Sequence, residues 1–340
     1  MRILICALFT AVTLLPALAA AAPPACGSSI SGNFVLDGDM ICAETNGLIV
    51  AGDNTTIDLN GHSIQCTGAG LSGSCQKIVG GPTGIPANSY SGILSNGKSN
   101  VRISGPGTVD GFGIGVHLIA GDGLKVQDVT VTGPAQPDAA TNQRLIANGI
   151  QIVNTTCPSP AENVAIIDGN EVLNQRFGVI LQNAECVKIS DNYVHDNNSR
   201  FGDAHGVDLI DSRNNLVMKN IIERNGANRI IGDVSDSGIQ LVNGSPSGDT
   251  SGNQIHGNSV SDNCGDGIAA VVGANNNSVI KNVARFNSDS TLGGQCLPAS
   301  PGQFFDLAER GAGAGNVWNP NNQCRTSSAT IPVGVCGPAE

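Results

Sequence analysis

The sequence is poor in charged and aromatic side chains, and these two deficits exclude several classes of protein. Charged residues make up 13% of the 340 residues, against roughly 25% in an average globular chain. Aromatic residues make up 3%, with one Trp and two Tyr. Because 40% of the residues are hydrophobic, both a disordered chain and a long charged coiled coil are excluded.

Basic charge and long apolar segments are scarce as well. The formal net charge is −11, so the chain has no basic surface for nucleic acid and we expect no nucleic-acid partner. Beyond residue 22 no stretch reaches about 18 apolar residues, so we expect no membrane span. No two cysteines stand at the C-x₂₋₄-C spacing of a zinc site, which excludes metal binding by cysteine.

The first 22 residues have the pattern of a secretory signal. Met1 and Arg2 precede an apolar run that ends in the small residues 19–22. This order of a basic start, an apolar core and small residues is typical of a cleaved signal peptide. We therefore expect residues 1–22 to be removed and the protein to be secreted or periplasmic.

The cysteines indicate disulfides. Cys6 lies in the signal segment, and the ten others form an even set in a chain expected to be secreted. We predict that neighbours in sequence are paired: Cys26–Cys42, Cys66–Cys75, Cys157–Cys186, Cys264–Cys296 and Cys324–Cys336.

A repeat organises most of the chain. Short segments that begin with glycine and alternate apolar with variable positions recur 23 to 45 residues apart, starting at Gly47, Gly92, Gly115, Gly149, Gly178, Gly206, Gly238 and Gly267. A second alternating segment follows each first one, as at 56–59 and 124–126, and period-2 alternation indicates strands. A basic length near 23 with insertions fits one turn of a parallel β-helix.

An asparagine marks the same place in successive repeats, three residues beyond an apolar position. The set is Asn170, Asn192, Asn220, Asn258 and Asn282. Buried amides need partners, so we predict a stacked internal ladder in which each amide bonds the next turn.

These features resemble the secreted right-handed parallel β-helix proteins with pectin-lyase-like architecture. The resemblance runs from Gly47 to Phe305, and residues 54–64 (NTTIDLNGHSI) are similar to the opening segment of carbohydrate-active β-helices. It implies an all-β, single-stranded right-handed parallel β-helix of eight to nine turns with disulfide-stapled caps. We place the N-terminal cap at 23–46, the β-helix at 47–296 and the C-terminal cap at 297–340, with no further domain.

The family includes pectate lyases, polygalacturonases, alginate-type lyases and epimerases, and surface proteins without enzymatic activity. The sequence contains neither the Gly-His-Gly or Arg-Ile-Lys motif of polygalacturonases nor the Asp-Pro-His motif of mannuronan epimerases. Function must therefore be argued from the candidate site.

Two consecutive repeats carry long insertions at the same corner. Gly206 stands nine positions after Asn197 and Gly238 thirteen positions after Asn225, against four positions in two other repeats. Since adjacent turns stack about 4.8 Å apart, these insertions should form one wall. Together they supply Asp203, His205, Arg229, Asp233 and Asp236.

The middle position of the first strand points away from the core in each repeat. In successive turns it is Ile49, Leu94, His117, Gln151, Ile180, Asp208, Gln240 and Ala269. An acidic residue in mid-strand has low β propensity and no role in a turn, so Asp208 is our first catalytic candidate.

We expect a polysaccharide-acting enzyme whose extended substrate lies along the first-strand face. Asp208 is assigned as acid or base, Asp233 or Asp236 as its partner, and His205 as proton carrier or orienting group. Substrate binding is assigned to Gln240, Gln151, Arg229, His117 and Asp203. Hydrolysis is preferred to elimination because an acidic protein repels polyuronates, and Ca²⁺ is a cofactor only if the enzyme is a lyase.

The scarcity of aromatic side chains argues against a carbohydrate-acting enzyme. Sugars are commonly held against aromatic faces, and the candidate site offers only Phe177 and Phe201. A non-catalytic secreted β-helix that binds a carbohydrate or a surface, or that serves as a rigid structural spacer, is the second interpretation. Carboxylates bonded to backbone along a flat face would favour it.

Overall fold

The computed structural model describes residues 22–67, 90–133, 147–157, 165–198, 204–226, 236–287 and 304–337. Within these ranges the chain consists of strands, turns and bends, with no helix. The strands form three parallel sheets, and each coil of the chain adds one strand to every sheet in turn. The predicted all-β parallel β-helix is confirmed.

The first sheet contains ten strands. They are β1 (Ser28–Ile30), β4 (Leu48–Val50), β7 (Ser91–Asn96), β10 (Ile114–Ile119), β13 (Asn148–Val153), β16 (Phe177–Gln182), β19 (His205–Ile210), β22 (Ser237–Val242), β25 (Asp266–Ala270) and β28 (Leu307–Glu309).

The second sheet also contains ten strands, most of three residues. They are β2 (Asn33–Val35), β5 (Thr56–Asp58), β8 (Arg102–Ser104), β11 (Lys125–Gln127), β14 (Ala165–Asp168), β17 (Val187–Ser190), β20 (Leu216–Met218), β23 (Gln254–His256), β26 (Ser278–Ile280) and β29 (Val317–Trp318).

The third sheet has eleven. They are β3 (Met40–Cys42), β6 (Ser63–Cys66), β9 (Thr108–Asp110), β12 (Thr130–Thr132), β15 (Glu171–Leu173), β18 (Tyr193–His195), β21 (Ile221–Glu223), β24 (Ser259–Ser261), β27 (Val283–Arg285), β30 (Asn322–Cys324) and β31 (Cys336–Gly337).

The described residues thus form ten coils rather than eight or nine. The additional strands come from the ends, because segments 28–42 and 307–324, which the sequence suggested as parts of the caps, also pair with the neighbouring coils.

One coil shows how the core forms. Val207 of the first sheet, Val217 of the second and Ile222 of the third are all fully buried. Alternation within each strand turns one apolar side chain inward, and the three sheets enclose these side chains. Burial of each contributes about 1.5–3 kcal/mol.

The repeated glycine has a packing reason. A Cβ at Gly206 would lie 2.5 Å from Ile222 Cγ2 and 2.7 Å from the Gly238 carbonyl oxygen. The first strand therefore begins where the chain passes closest to the third sheet and to the next coil, and no larger residue fits there.

The predicted asparagine ladder is confirmed. Asn220 Oδ1 accepts hydrogen bonds from the backbone N–H of Asn192 at 3.0 Å and from its side-chain amide at 2.9 Å. Asn258 Oδ1 accepts the same two hydrogen bonds from Asn220. Each buried amide is satisfied by the next coil, as the sequence predicted.

Two further ladders occupy the other corners. One comprises Asn197, Asn225, Asn263 and Asn287 and ends on the Asp306 carboxylate. The other comprises Asn215, Asn253, Asn277 and Asn316. All three corners of the solenoid are therefore held by the same amide chemistry.

Three predicted disulfides are present: Cys26–Cys42, Cys157–Cys186 and Cys324–Cys336. Cys66 and Cys264 are also disulfide-bonded. Their predicted partners, Cys75 and Cys296, lie outside the described residues. No helix in the described ranges is of the length and apolarity that a membrane crossing requires.

Candidate functional site

The outer face of the first sheet carries two adjacent columns of side chains. One column, here the pre-glycine column, is formed by the residue before each repeat glycine: Ser91, Ile114, Asn148, Phe177, His205, Ser237 and Asp266. The other, the mid-strand column, lies three residues later in each strand. The two columns share one face, since Asn148 Nδ2 donates a hydrogen bond to Gln151 Oε1 of the same strand at 3.0 Å.

The mid-strand column has the register that the sequence predicted. In order it is Ile49, Leu94, His117, Gln151, Ile180, Asp208, Gln240 and Ala269. Asp208 and Gln240 are direct neighbours, and His117 is three coils from Asp208.

This face is less accessible than alternation suggested. We expected the outward side chains to meet solvent, but Gln151, Asp208 and Gln240 are only 0%, 1% and 6% exposed. Period-2 alternation gives the direction of a side chain relative to its sheet, and it does not tell whether other parts of the protein cover that side.

Asp208 lies between an apolar and a polar neighbour. Ile180 precedes it in the column and Gln240 follows it. Gln240 Nε2 donates a long hydrogen bond of 3.4 Å to Asp208 Oδ1. The strand thus holds a buried carboxyl on the outer face of the sheet, outside the apolar core.

His205 is fixed in one tautomer. The backbone N–H of Ser237 donates to its Nδ1 at 3.0 Å. Since a backbone N–H can only donate, Nδ1 carries no proton and the ring N–H is on Nε2. Proton uptake at Nδ1 would break this bond, so of the two roles considered for His205 the orienting one fits the geometry better.

Aromatic and cationic groups extend the pre-glycine column beyond His205. The Phe177 ring stacks on His205 with centroids 5.5 Å apart, and the Arg176 guanidinium lies 4.6 Å from the Phe177 centroid. Phe177 is itself buried. Packing of this kind holds the imidazole plane in place.

Asp236 and Asp266 bond to the backbone of neighbouring coils. Asp236 Oδ1 accepts the Ala204 N–H at 2.9 Å. Asp266 accepts the Phe305 N–H at 2.8 Å and forms an ion pair with Arg310, whose Nη2 lies 2.7 Å from Asp266 Oδ1. Both carboxylates therefore contribute to holding neighbouring coils together.

His117 and Gln151 belong to a second polar group nearer the N-terminus. It also contains Ser91 and Asn148, and the coil of Phe177 and Ile180 separates it from Asp208. Burial lowers the pKa of His117 to about 4, so its imidazole is neutral at neutral pH.

Three predicted site residues, Asp203, Arg229 and Asp233, lie outside the described residues. The structure thus brings together His205, Asp208 and Gln240 on neighbouring coils, and it places Gln151 two and His117 three coils from Asp208. Asp236 contacts the backbone of Ala204.

Sequence reasoning did not include the pre-glycine column as a set. Ser91, Asn148 and Ser237 were missed, and they touch His117, Gln151 and His205 respectively. The signal was available, because each of them stands directly before a repeat glycine.

No group of three or more His, Cys, Asp or Glu side chains arranged to hold a metal ion occurs in the described parts of the chain. The acidic side chains that the structure describes here instead bond to Gln240, backbone N–H groups and Arg310.

Comparison with known proteins gives the following. Residues 140–287 match the family model of the right-handed β-helix region. No curated protein matches the chain.

Several solved structures are similar to this chain. The Dettilon tailspike protein gp208 superposes with a TM-score of 0.53 at 15% identity, covering 88% of this chain and 60% of that chain. A double mutant of the periplasmic alginate epimerase AlgG gives 0.45 at 13% identity, covering 73% and 53%. The A-module of the Azotobacter vinelandii mannuronan C-5 epimerase AlgE4 gives 0.37 at 13% identity, covering 91% and 90%.

This chain therefore spans 60% of the length of the tailspike protein and 53% of the length of the AlgG double mutant. At these identities the similarity concerns the fold alone. Taken with the three stacked parallel sheets, the family model and the tailspike superposition show that the chain has the right-handed parallel β-helix fold.

Proposed function

We propose that the protein is a polysaccharide-acting enzyme that breaks glycosidic bonds, with Asp208 as its acid or base. The observation that carries the proposal is a carboxyl in mid-strand on the outer face of the first sheet, 1% exposed and set among His205, Ser237 and Gln240. An acid at this place weakens the strand and adds nothing to the core, so its presence calls for another role.

Hydrolysis with inversion needs two carboxyl groups. One protonates the glycosidic oxygen as its bond to C1 breaks, while the other takes a proton from the water whose oxygen bonds to C1. The two groups stand about 6.5–9.5 Å apart in such enzymes. Asp208 supplies one, and Asp236 of the next coil or Asp233 supplies the other.

Charge favours hydrolysis over elimination. The chain carries a formal net charge of −11, which includes Asp208 and Asp236, and Arg310 is already paired with Asp266. A polyuronate would be repelled unless a cation intervened. Elimination with Ca²⁺ as cofactor is therefore the second choice.

A specific observation favours a non-catalytic carbohydrate-binding protein as the second candidate. Asp236 and Asp266 both accept backbone N–H groups of neighbouring coils. If all acids of the face have such roles, the face binds a glycan without cleaving it.

We further propose that the protein works outside the cytoplasm, secreted or in the periplasm. Its disulfides support this, since such bonds persist in oxidising compartments.

The test is an assay on a panel of neutral and acidic polysaccharides with and without chelator. Products are read as reducing ends and as absorbance of unsaturated sugars. Asp208→Asn should lower the rate by about 100-fold or more. Asp58→Asn, on the half-buried face of the second sheet, is the matched control and should keep the full rate.

Each possible outcome supports or refutes one of these functions. Full activity of Asp208→Asn would remove Asp208 from the mechanism. Unsaturated products that vanish with chelator would make the enzyme a Ca²⁺-dependent lyase. Binding without cleavage across the panel would establish the carbohydrate-binding protein instead.

A further inference from the structure

Two amide side chains on the outer face of the first sheet leave a donor and an acceptor unused. Asn148 and Gln151, 1% and 0% exposed, are hydrogen-bonded to each other through Asn148 Nδ2 and Gln151 Oε1. Asn148 Oδ1 and Gln151 Nε2 have no hydrogen-bond partner. A buried polar atom without a partner destabilises the folded state, so this arrangement calls for a group that satisfies both.

The pair leaves one donor and one acceptor unused in either orientation of its amides. If both were rotated, Gln151 would donate to Asn148, and one amide N–H group and one carbonyl oxygen would still remain. The pair always offers one donor beside one acceptor.

The two neighbours of Gln151 in the mid-strand column are uncharged. His117 of the preceding coil is neutral at neutral pH, and its Nδ1 lies 3.5 Å from Ser91 Oγ. Ile180 of the following coil is apolar. His117 is partly exposed, so the group reaches solvent on that side.

We propose that the Asn148–Gln151 pair binds a hydroxyl group of an uncharged sugar, in a subsite two coils from Asp208. That the ligand is a glycan rests on the proposed function; the hydroxyl rests on the unpartnered amide atoms. At about 4.8 Å per coil, the subsite lies about 9.6 Å from Asp208 along the face. The enzyme therefore takes a neutral glycan that extends over several coils.

Other sugar substituents match the pair less well. A hydroxyl donates to the free carbonyl oxygen and accepts from the free N–H at the same time. A uronate carboxylate only accepts, so it would face the carbonyl oxygen with like charge. The N–H and C=O of an acetamido group point in opposite directions, because the amide is trans, and cannot reach two adjacent atoms together.

The experiment measures binding by calorimetry on the Asp208→Asn protein, so that the ligand is not cleaved. The probes are hexasaccharides of glucose, mannose, galactose and galacturonic acid. The double variant Asn148→Leu/Gln151→Met replaces both partners with apolar groups and so leaves no amide unpaired. A second variant, Gln151→Glu, keeps the acceptor for Asn148 and removes the free N–H donor. Gln182→Met, half-buried on the same sheet, is the control.

We expect a neutral hexasaccharide to bind and the galacturonic acid probe not to bind. Both variants should weaken binding about tenfold or more, with the control unchanged and the melting temperature of the double variant close to that of Asp208→Asn alone. Equal affinity in the variants, or preference for the uronate, would overturn the subsite.

The two proposals fail in different ways. Cleavage of a glycan with unchanged KM by an Asn148→Leu/Gln151→Met protein that retains Asp208 would refute the subsite and leave the enzymatic function standing. Binding that depends on the amide pair, without cleavage by the wild type, would refute the enzymatic function and leave the subsite standing.

Discussion

His117 connects burial with pH at the scale of a single residue. Its imidazole lies in the mid-strand column between Leu94 and Gln151, neither of which carries charge. Burial is the cause that lowers its pKa from 6.5 to about 4. The folded protein therefore binds a proton at this residue less readily than the unfolded chain does.

The sign of the resulting pH dependence follows from linkage. Between pH 6.5 and about 4 the unfolded state holds more protons at His117, so stability falls as the pH is lowered through this range. The loss amounts to about 3 kcal/mol at pH 4 relative to pH 7. We expect urea unfolding at the two pH values to show it.

His117→Gln serves as the control because it keeps a polar side chain that does not titrate in this range. The variant should lose less stability than the wild type between pH 7 and pH 4. Identical losses in the two proteins would mean that His117 is not the group responsible.

His205 shows how a single backbone contact restricts a side chain. The Ser237 N–H fixes the proton of its ring on Nε2, and Phe177 holds the plane of the ring. The residue type was readable from the sequence, whereas its tautomer depends on an atom 32 residues further along the chain.

At the scale of the element, the asparagine ladders supply hydrogen bonds between coils that strand pairing does not. At the corners, the backbone N–H of each ladder asparagine bonds to the side-chain oxygen of the asparagine on the next coil. Asn220 stands in the middle of the first ladder and is 1% exposed.

Asn220→Ala should destabilise the protein by about 3 kcal/mol or more. It leaves the backbone N–H and one amide N–H of Asn192 buried without an acceptor, and each costs about 1–3 kcal/mol. Denaturant unfolding gives the difference.

Asn96→Ala is the matched control, since Asn96 is an exposed asparagine at the end of β7. Its replacement should change stability by less than about 0.5 kcal/mol. Equal effects of the two substitutions would contradict the account of the ladder.

The repeat glycines belong to the same scale. Gly178, Gly206 and Gly238 occur where a Cβ would lie 2.4–2.5 Å from an inward side chain of the third sheet. Sequence analysis could locate them, yet the reason for them is a contact between the start of one strand and the end of a coil, which only the folded solenoid shows.

At the scale of the whole molecule, each coil contacts mainly its neighbours, so the ends are the weakest parts. Disulfides occur at both ends: Cys26–Cys42 near the start and Cys324–Cys336 at the last coil. A disulfide that closes a loop of this size stabilises the folded state by about 3 kcal/mol.

We predict that Cys324→Ser/Cys336→Ser loosens the C-terminal coil selectively. Amide hydrogen exchange should become faster in residues 307–337 and stay unchanged in β16 and β19. The reason is that stability in a solenoid is transmitted only through adjacent coils.

Cys157→Ser/Cys186→Ser provides the comparison in the middle of the solenoid. Its effect should centre on the coils around those residues. Uniformly faster exchange along the chain in both variants would show that the molecule unfolds as one unit and would contradict the prediction.

How far the sequence predicts the site can be judged from particular residues. The register of the mid-strand column follows from counting from each glycine, and Asp208 next to Gln240 is confirmed. The burial of these side chains and the bond between Asn148 and Gln151 were not predicted, because neither follows from a two-residue period.

The sequence by itself determined the coil. Period-2 alternation, the glycine before each first strand and the recurring asparagine are local signals, and each has a local physical cause that repeats with the chain. Stacking then follows, because a single coil cannot bury its apolar side chains or satisfy its amides alone.

Only the tertiary structure decided what the outer face of the first sheet can do. Insertions of unequal length separate its residues along the chain, so the groups that meet come from different coils, such as His205 with Ser237 and Asp266 with Arg310. Their burial, tautomer and pairing depend on distances across the stack, and no periodicity along the sequence contains those distances.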